Sequence, residues 1–135
     1  MAEGIFRQRA QQMDLDLSFD SAGTGGWHIG EQPDSRMMAT AKQRGVDISD
    51  LRARQFELAD FDRFDRIYTM DQSNLQNVLK LARDDYDRGK VSLLLDALYP
   101  GQDQSVPDPY FGGQRGFDDV FDMIDEAAHV ILKEE

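Results

Sequence analysis

The chain has 135 residues, of which 40% are hydrophobic and 30% are charged. This length and balance predict one folded domain, residues 1–135, and exclude a disordered chain. The formal net charge of −11 repels phosphate backbones and anionic lipids, so we expect neither a nucleic acid nor a membrane as a partner. No apolar run approaches the ~20 residues that span a bilayer, and residues 1–12 do not resemble a secretory signal, which predicts a cytoplasmic protein.

Cysteine is absent from the 135 residues, and histidine occurs only at His28 and His129. The absence of cysteine excludes disulfides, thiolate metal sites and a cysteine nucleophile within this chain. The two histidines are far apart in sequence, which disfavours a histidine metal site. We therefore expect neither a metal nor another cofactor.

The first half of the chain predicts helix, strand and helix. Apolar residues at helical spacing predict a helix over Ala2–Met13, and alternating residues predict a strand over Leu15–Phe19. A glycine-rich loop follows. Asp34 is suited to cap a helix that runs to about Arg44, because its carboxylate accepts hydrogen bonds from free N–H groups, and Gly45 is suited to end it.

The second half continues this alternation and predicts an α/β fold. A short helix or turn within residues 56–64 precedes a strand over Arg66–Met70 and a helix capped by Asp71. The apolar run Val91–Leu95 predicts a strand that is buried on both faces of a parallel sheet. Prolines and glycines predict a loop over residues 96–116, and a helix with one apolar stripe begins at residue 117.

Four groups of segments along the whole chain carry a family pattern. They are Ala2–Arg7; Asp20–Thr24 with Trp27–Gly30 and Pro33–Arg36; Arg52–Gln55 with Met70–Asn74; and Asp108–Gly112. Together they resemble the low-molecular-weight protein tyrosine phosphatases. The resemblance implies a three-layer α/β fold with a mostly parallel sheet.

In that family a strand and a Cys-x5-Arg-Ser phosphate-binding loop come before the helix that matches Ala2 onwards. The resemblance therefore implies that this chain lacks the first strand of the sheet and the phosphate-binding loop. The complete protein would hydrolyse phosphotyrosine through a cysteinyl-phosphate intermediate, without a metal. We expect this chain to be inactive, since the thiolate nucleophile is missing.

The resemblance also assigns roles to five residues. Asp108 matches the general acid, Ser21 matches a serine that supports the phosphate-binding loop, and Trp27, Tyr110 and Phe111 match the walls of the substrate slot. Other interpretations are structural: Asp-Pro pairs often open turns, and a tryptophan often packs in a core.

Arg52 and Arg54 are local cations that could bind an anion, although most arginines pair with nearby acids at the surface.

The functional alternatives are a non-catalytic binding or regulatory remnant and a relative of the arsenate reductases. For the complete protein, the expected partner is a phosphotyrosine protein substrate. Without a first strand, Ser18–Ala22 and Arg66–Met70 would flank a gap in the sheet. They would then pair directly, take a strand from a neighbour, or leave exposed edges that favour self-association.

Overall fold

The computed structural model describes residues 1–24, 29–107 and 113–134. The helices within these residues are α1 Ala2–Gln12, α2 Ser35–Gln43, α3 Asp60–Arg63, α4 Gln72–Leu81, α5 Asp85–Gly89 and α6 Gly113–Lys133, with a 3-10 helix at Leu94–Ala97. The strands are β1 Ile67–Thr69 and β2 Val91–Leu93. The alternation of helices and strands confirms the α/β class.

The two strands form a small parallel sheet. Ile67 lies opposite Val91 and Thr69 lies opposite Leu93, with α4 and α5 in the connection between the strands. A second parallel contact joins Gly23 to Gln55 as an isolated bridge. Parallel backbone pairing therefore occurs at two separate places in the described residues. Residues 16–22 and β1 line one cavity.

Helix α6 supplies much of the core. It contacts α1, α2 and the 3-10 helix, and its inward face recurs every three or four residues, as the sequence predicted. The residues on that face are all 6% exposed or less; they are Phe117, Val120, Phe121, Ile124, Ala127, Ala128, Ile131 and Leu132. This packing holds α1 beside α6 and so fixes the position of the residues at the start of α1.

The predicted helix caps are confirmed. The Asp34 carboxylate accepts hydrogen bonds from the N–H groups of Arg36 and Met37, and the Asp71 carboxylate accepts one from the Asn74 N–H at 2.7 Å. Gly45 follows α2 with a φ of +83°, a conformation that glycine adopts without steric cost. These signals are local, which is why sequence alone locates them.

The strand predicted over Leu15–Phe19 is wrong. The chain there forms no strand, and residues 16–20 make no backbone–backbone hydrogen bond within the described ranges. Leu15 and Phe19 pack against the core, whereas Leu17 is 40% exposed. A strand exists only where a second backbone supplies partners, and an alternating pattern cannot show whether that partner is present.

Two further boundaries and one helix differ from the predictions. The strand predicted over Val91–Leu95 ends at Leu93, where the chain turns into the 3-10 helix. The short helix α5 was not predicted, since its sequence is almost entirely polar. The loop predicted to end at residue 116 ends earlier, because α6 begins at Gly113.

None of the helices in the described part of the chain has both the length and the apolar character needed to cross a membrane.

Candidate active site

Residues of α1, β1, α4 and α6 line a cavity of about 1010 Å³ in the described structure. The lining also includes residues 16–22 and Thr24, and residues 64–71. Side chains of α1 and α6, including Phe6 and Ile124, contribute apolar surface. In α/β folds, ligands bind where parallel strands end at their carboxyl termini, and Met70 and Asp71 mark that end of β1 here.

Ser21 lies on this cavity and is held by the first turn of α1. Its Oγ donates a hydrogen bond to Oε1 of Glu3 at 2.6 Å. The other oxygen of Glu3 accepts a hydrogen bond from Arg7 Nη2 at 2.5 Å, and the Glu3 residue is only 9% exposed. A buried carboxylate is stable when cations and donors surround it, so this network fixes both Glu3 and the Ser21 hydroxyl.

Glu3 and Arg7 are site residues that sequence reasoning missed. In sequence, a glutamate in the first turn of a helix is explained by the helix dipole alone. The pairing of Glu3 with Ser21 spans 18 positions, and no local pattern indicates it.

Arg54 also lines the cavity, where it binds two carboxylates. Its guanidinium donates two hydrogen bonds to Asp60, at 3.0 and 3.1 Å, and one to Asp20 at 3.0 Å. Asp60 is 1% exposed and also accepts the Glu57 N–H at 2.8 Å. This engagement disfavours the anion-binding interpretation of Arg54.

Arg52 likewise has partners nearby. It donates hydrogen bonds to the backbone oxygens of Ser49 and Leu51.

The Arg54–Asp60 pair shifts both pKa values. Burial alone would raise the pKa of Asp60, but hydrogen bonds from Arg54 and from the Glu57 N–H outweigh burial and place this pKa below its usual value. The hydrogen bond to Asp60 raises the pKa of Arg54. The pair is therefore charged at neutral pH.

The chain that leads to Asp108 is fixed at the carboxyl end of β1. The Val106 N–H donates to the Met70 oxygen at 2.7 Å. Gln72 donates through its N–H to Ser105 Oγ at 3.1 Å and through Nε2 to the Asp103 oxygen at 2.8 Å. Pro107 lines the cavity, and Asp108 is its covalent neighbour.

The predicted residues Trp27, Asp108, Tyr110 and Phe111 lie outside the described residues, so their roles stay predictions. The four residues belong to the ranges 25–28 and 108–112, which the structure does not describe. Thr24 and Pro107 line the cavity and come directly before these ranges. Thr24 Oγ1 also accepts a hydrogen bond from Asn77 of α4 at 3.4 Å. Of the five predicted site residues, the structure thus describes Ser21.

The family model described as "Low molecular weight phosphotyrosine protein phosphatase" matches residues 1–134. The chain belongs to this family. The match includes the α1 segment that carries Glu3, the segment around Ser21 and the segment around Asp108.

Individual members of the family agree in sequence and in fold. A phosphatase of this family from Schizosaccharomyces pombe is 38% identical over 136 aligned residues, which cover 98% of this chain and 86% of that protein. One from Streptomyces coelicolor is 40% identical, with coverage of 98% and 82%. The crystal structure of a protein tyrosine phosphatase from Entamoeba histolytica superposes with a TM-score of 0.90 at 33% identity, covering 98% of this chain and 85% of that one.

Proposed function

We propose that this chain carries the general acid and the substrate walls of a phosphotyrosine hydrolase, and that residues 1–135 do not turn over substrate by themselves. The observation that carries the first part is the cavity at the end of β1, where the segment leading to Asp108 is anchored by three hydrogen bonds. The second part rests on composition, since none of the 135 residues is a cysteine.

In the proposed reaction a thiolate from outside these residues attacks phosphorus, and the bond from phosphorus to the phenolic oxygen breaks. Asp108 gives its proton to the departing phenolate. Water then attacks the cysteinyl phosphate and gives a proton to the Asp108 carboxylate, and the sulfur–phosphorus bond breaks. Trp27, Tyr110 and Phe111 flank the phenyl ring, and Ser21, held by Glu3, supports the loop that binds the phosphoryl oxygens.

A non-catalytic role for this chain is the second candidate. Two observations favour it. The 135 residues contain no cysteine to act as nucleophile, and hydrogen bonds hold Ser21 and Arg54 in place on the cavity. In that case residues 1–135 bind a phosphotyrosine protein without cleaving it. The third interpretation, arsenate reduction, has less support, because the relatives named above are all phosphatases.

The first test is hydrolysis of an aryl phosphate by the purified chain. We expect a rate equal to that of buffer alone, because no side chain in the protein can form the cysteinyl phosphate. Turnover that copurifies with the protein and disappears in Asp108→Ala would contradict the proposed inactivity.

The second test supplies the nucleophile. A strand and a Cys-x5-Arg-Ser loop are joined ahead of Ala2, and we expect aryl phosphatase activity to appear. In that longer protein Asp108→Asn should slow turnover by about 10²–10⁴-fold, the scale of a positioned general acid. Asp103→Asn is the matched control, because Asp103 lies in the same loop, is exposed, and has a positive φ that asparagine tolerates.

Comparison of the two variants separates loss of the general acid from disturbance of the loop that carries it. Equal loss in Asp108→Asn and Asp103→Asn would assign the effect to the loop instead of to an acid. An Asp108→Asn variant as fast as its parent would show that another group protonates the phenolate.

A further inference from the structure

The loop that leads to Asp108 is held by the first residue of α4, Gln72. This residue donates two hydrogen bonds to the loop, from its N–H to Ser105 Oγ at 3.1 Å and from Nε2 to the Asp103 oxygen at 2.8 Å. The N–H of a first helical residue has no partner within its own helix, so Ser105 also satisfies a free donor of α4. Because the backbone and the side chain of Gln72 bind different residues, they fix both the position and the direction of the loop.

Gln72 is itself held in place by regular structure. Helix α4 packs against both strands of the sheet, and the Asp71 carboxylate caps it through the Asn74 N–H at 2.7 Å. A third hydrogen bond, from the Val106 N–H to the Met70 oxygen at 2.7 Å, joins the loop to the end of β1. The loop is therefore positioned by β1 and α4, which are rigid elements.

The backbone at Asp103 shows why this loop needs support from outside. Its φ of +52° lies in the left-handed region, which is unfavourable for a residue with a Cβ atom. The hydrogen bond from Gln72 Nε2 fixes the carbonyl group of this strained residue in one orientation. By contrast, Gln104 donates only within the loop, to Gln102 Oε1 at 3.2 Å, and both of these residues are exposed.

We propose that Gln72 is a positioning residue for the general acid: its hydrogen bonds to the loop set the place from which Asp108 gives its proton to the phenolic oxygen. This inference rests on the proposed role of Asp108. Only Pro107 separates Val106 from Asp108, and a proline restricts both its own φ and the backbone of the residue before it. The position of Val106 therefore limits where residue 108 can lie, and a misplacement of about 1 Å at a reacting group can slow a reaction 10²-fold.

The first test uses residues 1–135 as they stand and does not depend on catalysis. Gln72→Ala removes the Nε2 donor and leaves the backbone N–H, and alanine is the best helix former, so α4 is retained. We expect hydrogen exchange of the Val106 amide to become roughly three- to tenfold faster, since one of the bonds that hold the loop is lost. Gln104→Ala is the matched control, and we expect it to leave this exchange rate unchanged. An unchanged rate in Gln72→Ala, or equal acceleration in both variants, would overturn the proposal.

The second test measures proton donation in the longer protein that carries the Cys-x5-Arg-Ser loop. Its readout is kcat/KM, which includes the step in which the phenolic oxygen departs. Phenol has a pKa of about 10, like tyrosine, so its departure needs the proton of Asp108, whereas dinitrophenolate departs without one. We expect Gln72→Ala to lower kcat/KM for phenyl phosphate by about 10–10²-fold and to change that for dinitrophenyl phosphate by less than about twofold. Gln104→Ala should match the parent for both substrates.

Asp108→Asn in the same longer protein separates this inference from the proposed function. If Asp108→Asn hydrolyses phenyl phosphate as fast as its parent, the proposed general acid is wrong, and this inference is overturned with it. If Asp108→Asn is slow but Gln72→Ala is as fast as its parent, the general acid stands and Gln72 does not position it. Equal losses for both substrates in Gln72→Ala would assign Gln72 a structural role only.

Discussion

Arg54 connects two carboxylates with different surroundings. The side chain of Asp60 is 1% exposed, whereas that of Asp20 is 43% exposed. The two hydrogen bonds to Asp60 therefore act where water does not compete, and the bond to Asp20 acts near the surface. Arg54 therefore stabilises the fold mainly through its hydrogen bonds to Asp60.

We expect Arg54→Ala to lower the free energy of unfolding by roughly 3 kcal/mol, because it removes the main partner of a buried carboxylate. Arg63→Ala is the matched control. Arg63 also approaches Asp60, at 3.5 Å, but its side chain is 57% exposed, so we expect a loss below about 1 kcal/mol. Urea unfolding of both variants measures the difference. Equal losses would show that Asp60 is not held chiefly by Arg54.

Helix α1 packs closely at Gly4 against the segment that follows α2. A Cβ atom added at Gly4 would lie 2.5 Å from Ile48 Cγ2 and 3.2 Å from Val46 Cγ1. Ile48 is 1% exposed and Val46 is 2% exposed, so neither can move aside without disturbing the core. The glycine is therefore explained by packing between elements.

We expect Gly4→Ala to lower the free energy of unfolding by about 1–2 kcal/mol, because overpacking exceeds the gain in helix propensity. Gly89→Ala is the matched control. A Cβ atom at Gly89 in α5 would meet nothing within 4 Å, so we expect no loss or a small gain. Thermal melting of both variants checks the contrast, and a Gly4→Ala variant as stable as its parent would contradict it.

The sequence predicted most helices well, because their caps and apolar stripes are contained in their own residues. Asp34, Asp71 and Gly45 each act within four positions. The strand over Leu15–Phe19 failed for the opposite reason, since pairing depends on a distant backbone. For the site, the family resemblance assigned a role to Ser21 but none to Glu3, although Glu3 lies in the first matching segment. The contact of Glu3 with Ser21 joins two parts of the chain that sequence spacing does not relate.

At the scale of the whole molecule, Arg83 links the regions around α3 and α5. It donates to Asp62 at 2.7 Å and to Asp87 at 2.8 Å, and Asp87 is 1% exposed. The hydrogen bond from Arg83 is the main cause that lowers the pKa of Asp87, and it also lowers the pKa of Asp62. Both carboxylates thus bind protons more weakly in the folded state than in the unfolded state.

As the pH falls, the unfolded state therefore binds more protons than the folded state. The stabilisation from this cluster is fully present above the unfolded pKa of about 3.9 and is lost as the pH falls below it. We expect Asp87→Asn to be less stable at neutral pH and to lose less stability between pH 5 and pH 3. Asp85→Asn, with its side chain fully exposed in the same helix, is the control for removal of a carboxylate, and we expect its free energy of unfolding at neutral pH to stay close to that of the parent. Urea midpoints across this range test it; parallel curves for Asp87→Asn and its parent would contradict it.

The hydrogen bonds that tie residues 103–106 to Met70 and Gln72 also determine where the loop can change its length. The chain turns at the exposed Gly101 before it reaches Asp103. A residue inserted at this turn would not displace residues 103–106, because their hydrogen bonds hold them in place. One residue inserted between Val106 and Asp108 would displace the carboxyl group by about 3.3 Å, the length of an extended residue. Under the proposed role of Asp108 as the general acid, proton transfer needs contact within about 3 Å. Insertions and deletions should then accumulate before the hydrogen-bonded residues 103–106 and be excluded after them.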